Sequence, residues 1–215
     1  MKLNKCIVVD FEATCWAEEE KVSREHSEII EIGITEVIMT NQFHMAPSLG
    51  KSSSILCIPQ RGTHAPTAMP DLSKFCTELT GITNEQLQKE GKTFAWAAYD
   101  VNRRYGKWTW CSWGEYDREI LNQTCHMNGT MYPLSRNHIN LKLVFSLITG
   151  HPVCGILEAL DYLQMKPIGR HHSGVDDSLN EARILVKMAT ITRNLFAAMH
   201  STLENKEETK DDSAK

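Results

Sequence analysis

Apolar and polar positions along this chain predict strands early and helices late. Cys6 to Phe11 is a short apolar run rich in β-branched side chains, which predicts a strand. Glu28 to Met39 (EIIEIGITEVIM) repeats the pattern, and Thr40-Asn41 predicts a turn into Gln42 to Met45, so this part reads as an antiparallel meander. Helical spacing then takes over at Leu72 to Leu79, Asn84 to Glu90 and Thr93 to Arg104, punctuated by Gly81 and Gly91. Trp108 to Trp113 predicts a further strand. Beyond it, helices are expected at about Glu115 to Met127, Asn140 to Ile148, Gly155 to Leu163 and Ser178 to Met199. The order is that of an α/β fold, with no internal repeat.

Two stretches break the periodicity. Ala17 to Ser27 is charged and mixed in sign, and Ser48 to Pro70 carries prolines, glycines and a serine run, so both are expected to be loops. The tail from Ser201 to Lys215 is polar enough that disorder is expected, which leaves residues 1–200 as a single domain. A chain of 215 residues is long enough for one sizeable core. Its net charge of −4 and pI near 6.1 exclude a generic basic coater of nucleic acid, so any such ligand must be held locally. Seven cysteines, an odd number without a CxxC pair, fit a reducing compartment, and Met1 leads straight into the first strand without an apolar leader. A cytoplasmic, soluble protein with no membrane partner is expected.

Three local patterns carry chemistry. Strand alternation puts Asp10 and Glu12 on one face and Phe11 on the other, so two carboxylates sit side by side at a strand end. Asp117 in WGEYD opens a helix. Ser178 and Glu181 fit a capping box, which places Asp177 at a helix N-terminus with His172 on the loop leading in. Taken alone, Asp10-x-Glu12 reads more readily as an ordinary strand end, and the Asp117 and Asp177 patterns read as well as helix starts favoured by the dipole. Together they suit hydrolysis of a phosphodiester. Carboxylates hold hard divalent cations, two such ions clamp the attacking and leaving oxygens, and a neutral histidine can take the proton from water.

The set VVDFEATC, SEIIEIG, LSKFCTELTGIT, WGEYD, HINLK and GRHHSGVDDSLNEARI, in that order, resembles the DnaQ-like 3'-to-5' exonuclease superfamily of the DEDDh type. Within it the chain resembles the branch that contains the histone-mRNA 3' exonuclease and related small RNA exonucleases. That resemblance implies a ribonuclease-H-like fold, a mixed sheet flanked by helices. It implies two Mg2+ or Mn2+ ions, with Asp10 bridging both, Glu12 and Asp177 on the ion that activates water, and Asp117 supporting the second. His172 matches the general base, and His171 is one residue off. Phe11, Ala13 and Thr14 match positions that contact the terminal nucleotide, Trp16 could stack on a base, and Leu79, Ile82 and Thr83 match positions bordering it. Lys142, Arg170, Arg183 and Lys187 are candidate phosphate contacts. Glu31 reads as structural, and Trp96, Trp108, Trp110 and Trp113 as core. The implied activity is stepwise release of nucleoside 5'-monophosphates from the 3' end of a single strand, with RNA favoured. A DNA exonuclease and a catalytically silent binding module are the alternatives, and both monomer and homodimer stay open.

Overall fold

The computed structural model describes residues 4–40, 46–60 and 71–212, with the backbone alone for residues 200 and 202–212. Residues 41–45 of the anticipated turn and 61–70 of the anticipated long loop lie outside the described residues. The strands are β1 (Lys5–Ala13), β2 (Ile29–Ile38), β3 (Ser48–Ile58), a short β4 (Lys92–Thr93), β5 (Thr109–Ser112) and β6 (His138–Asn140). They form one mixed sheet in the order β4-β3-β2-β1-β5-β6. The meander β1-β2-β3 is antiparallel, and β5 joins β1 in parallel. The α-helices are α1 (Lys74–Thr80), α2 (Asn84–Glu90), α3 (Phe94–Tyr105), α4 (Tyr116–Asn128), α5 (Leu141–Thr149), α6 (Ile156–Tyr162) and α7 (Gly174–Asp212).

Alternation along β1 divides the interior in two. Ile7, Val9, Phe11 and Ala13 bury against α3 and α4, with Phe94, Val101, Ile120 and Leu121. Cys6 and Val8 face the other way, toward Leu141, Phe145, Leu160 and Met188 of α5, α6 and α7. Asp10 and Glu12 continue this second series, so the strand that builds the core also presents the carboxylates to α7.

One expectation is corrected at Ser48. The stretch from Ser48 to Ile58 is a strand, not a loop. Its serines hide the apolar alternation because they face polar partners: Ser52 Oγ lies 2.9 Å from Thr35 Oγ1, and Ser54 donates to Glu31 Oε1 at 2.7 Å. A second correction concerns α7, which starts at Gly174 and not at Ser178. Ser178 donates to Val175 O at 3.0 Å and meets Thr35, so the anticipated capping box with Glu181 does not form. Glu31 does the capping from across the sheet, accepting from Gly174 N at 2.8 Å and Val175 N at 3.3 Å. The backbone of α7 continues to Asp212, into the polar segment where composition predicts disorder.

The start of α7 lies directly on β2. A methyl group at Gly33 would collide with the Gly174 carbonyl, so only glycine permits this approach. Gly33→Ala is therefore expected to cost about 1–3 kcal/mol or more, the usual cost of overpacking. Urea unfolding should show a lower midpoint at unchanged slope. An unchanged midpoint would mean that the helix tolerates displacement from the strand. Among the tryptophans, Trp110 and Trp113 are buried, whereas Trp96 lies exposed on α3 beneath Lys92. It belongs to the outer face and not to the core.

Candidate active site

β1 delivers Asp10 and Glu12, and the first turn of α7 delivers Asp177, whose N–H donates to Ser173 O at 2.8 Å. These carboxylates offer oxygens that all lie within 4.8 Å of one another. Asp117, in the first turn of α4, accepts the Phe11 N–H at Oδ1 over 3.1 Å, which ties that helix start to the same strand. The four acids read from sequence therefore converge from three elements. Glu12, Asp117 and Asp177 are buried.

A fifth carboxyl, Glu181, joins them and was missed. It is fully buried, it lies against the Asp10 carboxyl, and among the described residues no other hydrogen-bond donor reaches either of its oxygens. The sequence reading gave it only a capping role with Ser178; its spacing of four from Asp177 was the signal that both share one helix face. Two carboxyls in contact need either a shared proton or a cation between them. An orphaned buried carboxyl beside three convergent ones is the donor set that hard divalent cations take, so the residues fit Mg2+ or Mn2+.

The charges oppose one another accordingly. Burial, then repulsion from Asp177, Glu31 and Asp117, pushes the Glu12 carboxyl up to about 8. Burial raises Asp117 to about 6, against hydrogen bonds from Phe11 and Ser112 and the nearby Lys142 ammonium, which pull it down. Asp10 and Glu181 are also raised, by burial first and then by their acidic neighbours. Raised carboxyls make the folded, metal-free protein bind more protons than the unfolded chain between about pH 4 and 8, so stability falls as pH rises through that window. His138 and His172, whose affinity for protons burial lowers, work in the opposite sense but are two histidines against four carboxyls. EDTA-treated protein is thus expected to melt roughly 5–10 °C higher at pH 5 than at pH 8, with Mg2+ restoring most of the difference at pH 8. Melting that is indifferent to Mg2+ at pH 8 would contradict the carboxylate assignment.

The loop before α7 positions both histidines. His172 adopts a left-handed φ of 63°, and its N–H donates to Asp177 Oδ2 at 2.8 Å. The two imidazoles stack at 4.0 Å, and it is His171 whose ring meets the acid, with Nδ1 at 2.9 Å from Asp177 Oδ2. The His172 ring makes no such hydrogen bond, although one of its nitrogens lies within 4.8 Å of that carboxylate. Burial, then His171 and Arg170, hold its protonation below the ordinary range, so it is neutral near pH 7. Arg170 anchors the loop, donating to Glu78 O at 2.6 Å and Leu79 O at 3.1 Å.

That anchor ties the end of α1, at Glu78 and Leu79, to the histidine loop. Ile82 is buried in a small core with Ile30, Cys76 and Leu87, and Thr83 caps α2. Phe11 and Ala13 are buried against α3 and α4, which leaves backbone as what they can offer. Thr14 Oγ1 accepts from Glu28 N at 2.9 Å, and Trp16 just beyond is half-buried. Of the cations, Arg170 and Arg183 are committed to backbone carbonyls, and Lys187 is exposed on α7. Lys142, half-buried at the start of α5, is the one whose charge reaches Asp117 and Glu181.

A mixed sheet whose central strand aims two carboxylates at a third on the C-terminal helix defines a nuclease of the ribonuclease-H-like class. The chain belongs to the RNase T family of exonucleases, whose model matches residues 7–185. Similar curated proteins include ERI1 exoribonuclease 2 of Mus musculus, 29% identical over 85% of this chain and 28% of that protein. The 3'-5' exonuclease Snipper of Drosophila melanogaster is 27% identical over 85% of this chain and 68% of its own length. The chain thus spans well under a third of the first of these relatives. Among solved structures, a full-length 3'-exonuclease superposes with a TM-score of 0.75 at 26% identity, covering 89% of this chain and 62% of that one. The nuclease domain of 3'hExo, a DEDDh family member bound to rAMP, gives 0.71 at 28% identity, covering 86% and 92%. Among the described residues no helix is long and apolar enough to cross a membrane.

Proposed function

We propose that this chain is a metal-dependent 3'-to-5' exonuclease that shortens single-stranded RNA one nucleotide at a time, releasing nucleoside 5'-monophosphates. The observation that carries the reading is the convergence of Asp10, Glu12 and Asp177 within ligand distance of one another, beside a histidine held neutral. Mg2+ or Mn2+ bound there would polarise the scissile phosphate, offset its developing charge and make the attacking water more acidic. Asp10, Glu12 and Asp177 would hold the ions, with Asp117 supporting from α4. His172 would accept the proton of the attacking water. Asp177 orients it through the His172 N–H. Leu79, Ile82 and Thr83, with the backbone of Phe11 and Ala13, Thr14 and the half-buried Trp16, would seat the terminal nucleotide by contact and stacking.

RNA is favoured because several of the similar proteins, ERI1 exoribonucleases 2 and 3 of Mus musculus among them, are named exoribonucleases and one similar nuclease domain holds rAMP. Another superposed structure concerns 3'-end recognition of a histone mRNA stem-loop. The test compares degradation of one sequence as single-stranded RNA and as DNA, in Mg2+ and in EDTA. Faster loss of RNA, abolished by EDTA, is the expected result. Faster loss of DNA would move the substrate class, and retention of both strands on a gel without cleavage would leave a binding module.

A further inference from the structure

Away from the carboxylates, the turn between α5 and α6 gathers three side chains of a different chemistry. His151, Cys154 and Glu158 offer a nitrogen, a sulfur and an oxygen that all lie within 4.8 Å of one another. They come from one short segment, His-x2-Cys-x3-Glu. We propose that His151, Cys154 and Glu158 form a second metal site, for Zn2+, with a fourth position open to water.

The imidazole is set for this role. His151 Nδ1 lies 2.9 Å from the Pro152 carbonyl, which cannot donate, so Nδ1 carries the proton and Nε2 keeps its lone pair. That is the arrangement of a metal-binding histidine, whose second nitrogen donates to a carbonyl or carboxylate. Nε2 faces Glu158 Oε1 at 3.8 Å, too long for a hydrogen bond and suited to two ligands on one ion. The ring is wedged against Tyr162 at 4.7 Å and Phe145 at 5.9 Å. The backbone is pinned at both ends, His151 N donating to Thr149 Oγ1 at 3.1 Å and its carbonyl accepting from Ser146 Oγ at 2.7 Å. Cys154 is buried, whereas Glu158 is open to solvent, which leaves one side for water.

Soft sulfur with imidazole and one carboxylate selects Zn2+ over Mg2+, the reverse of the all-oxygen site on β1 and α7. On binding, the Cys154 thiol loses its proton to water and its sulfur bonds the metal as thiolate. Glu158 binds as the carboxylate. Cys154 O accepts the Trp113 indole N–H at 3.0 Å. Occupancy therefore stiffens a turn that holds the end of β5, three residues before Tyr116 opens the helix of Asp117.

The test titrates Co2+, as a visible stand-in for Zn2+, into reduced, EDTA-stripped full-length protein with excess Mg2+ present. The expected result is one equivalent of Co2+ giving a near-ultraviolet sulfur-to-cobalt charge-transfer band, displaced by Zn2+, unchanged in Asp177→Asn and absent in Cys154→Ser. Carboxylates produce no such band. Glu158→Gln, a change at an exposed side chain, should fold normally and weaken Co2+ binding by more than about 10-fold. No band in the wild-type protein, a band that survives Cys154→Ser, or unchanged affinity in Glu158→Gln would overturn the proposal.

Discussion

Asp10→Asn is expected to lower the exonuclease rate by about 10³-fold or more while leaving the metal-free protein as stable as before, or more so. Asp10 lies at the centre of the acidic cluster, facing Glu12, Asp117, Asp177 and Glu181. Loss of one charged oxygen there removes several kcal/mol of cation and transition-state stabilisation, and each 1.36 kcal/mol is tenfold in rate. The same charge is a burden without metal, because burial and its neighbours oppose its ionisation. An asparagine amide relieves that repulsion and can donate to Glu181, whose oxygens otherwise have no donor. Rate and melting temperature should therefore move in opposite directions in EDTA-treated protein, as expected of a site that trades stability for function. A variant that loses activity and melts far below the wild type would place Asp10 among the structural residues.

His172→Ala should cost about 10²- to 10⁴-fold in rate, the range for removing a general base, and His171→Ala no more than about 10-fold. The geometry makes this a sharp comparison, because the ring of His171 and not that of His172 touches Asp177. His171 occupies a carboxylate oxygen that a cation would also take, so removing it leaves the ligand in place. The His172 ring stacks on His171, and its proton affinity is depressed. A base with lowered pKa is active when neutral, so the wild-type rate should fall only as pH drops below the ordinary histidine range. His172→Ala should lose that acid limb and His171→Ala should keep it. The reverse pattern would assign the base to His171.

How much of this was legible in the sequence depends on how local the determinant is. Asp10 and Glu12 could be placed on one face because strand alternation is fixed by backbone geometry. Asp177 could be placed at a helix start, although the helix begins a turn earlier than expected. The capping group responsible, Glu31, comes from near the start of β2, far away in sequence, and leaves no local signal. For the same reason β3 read as a loop: its serines look like turn residues until Thr35 and Glu31 are opposite them. Glu181 was hidden by a plausible local motif that tertiary packing overrode. The contact between His171 and Asp177 follows from a left-handed φ at a non-glycine residue, a conformation that sequence rarely announces. What the chain spells out are ligands on regular elements; what it conceals are the side chains that hold those elements against one another.

The central claim is that these carboxylates remove nucleotides from a 3' end. The most direct measurement follows one single-stranded RNA labelled either at its 5' or at its 3' end, in Mg2+, with wild-type protein and with Asp177→Asn. The expected result is a progressively shortening ladder from the 5' label, immediate appearance of a labelled mononucleotide from the 3' label, and neither with the variant. Internal fragments from both labels, shortening from the 5' end, or cleavage that persists in Asp177→Asn would contradict it.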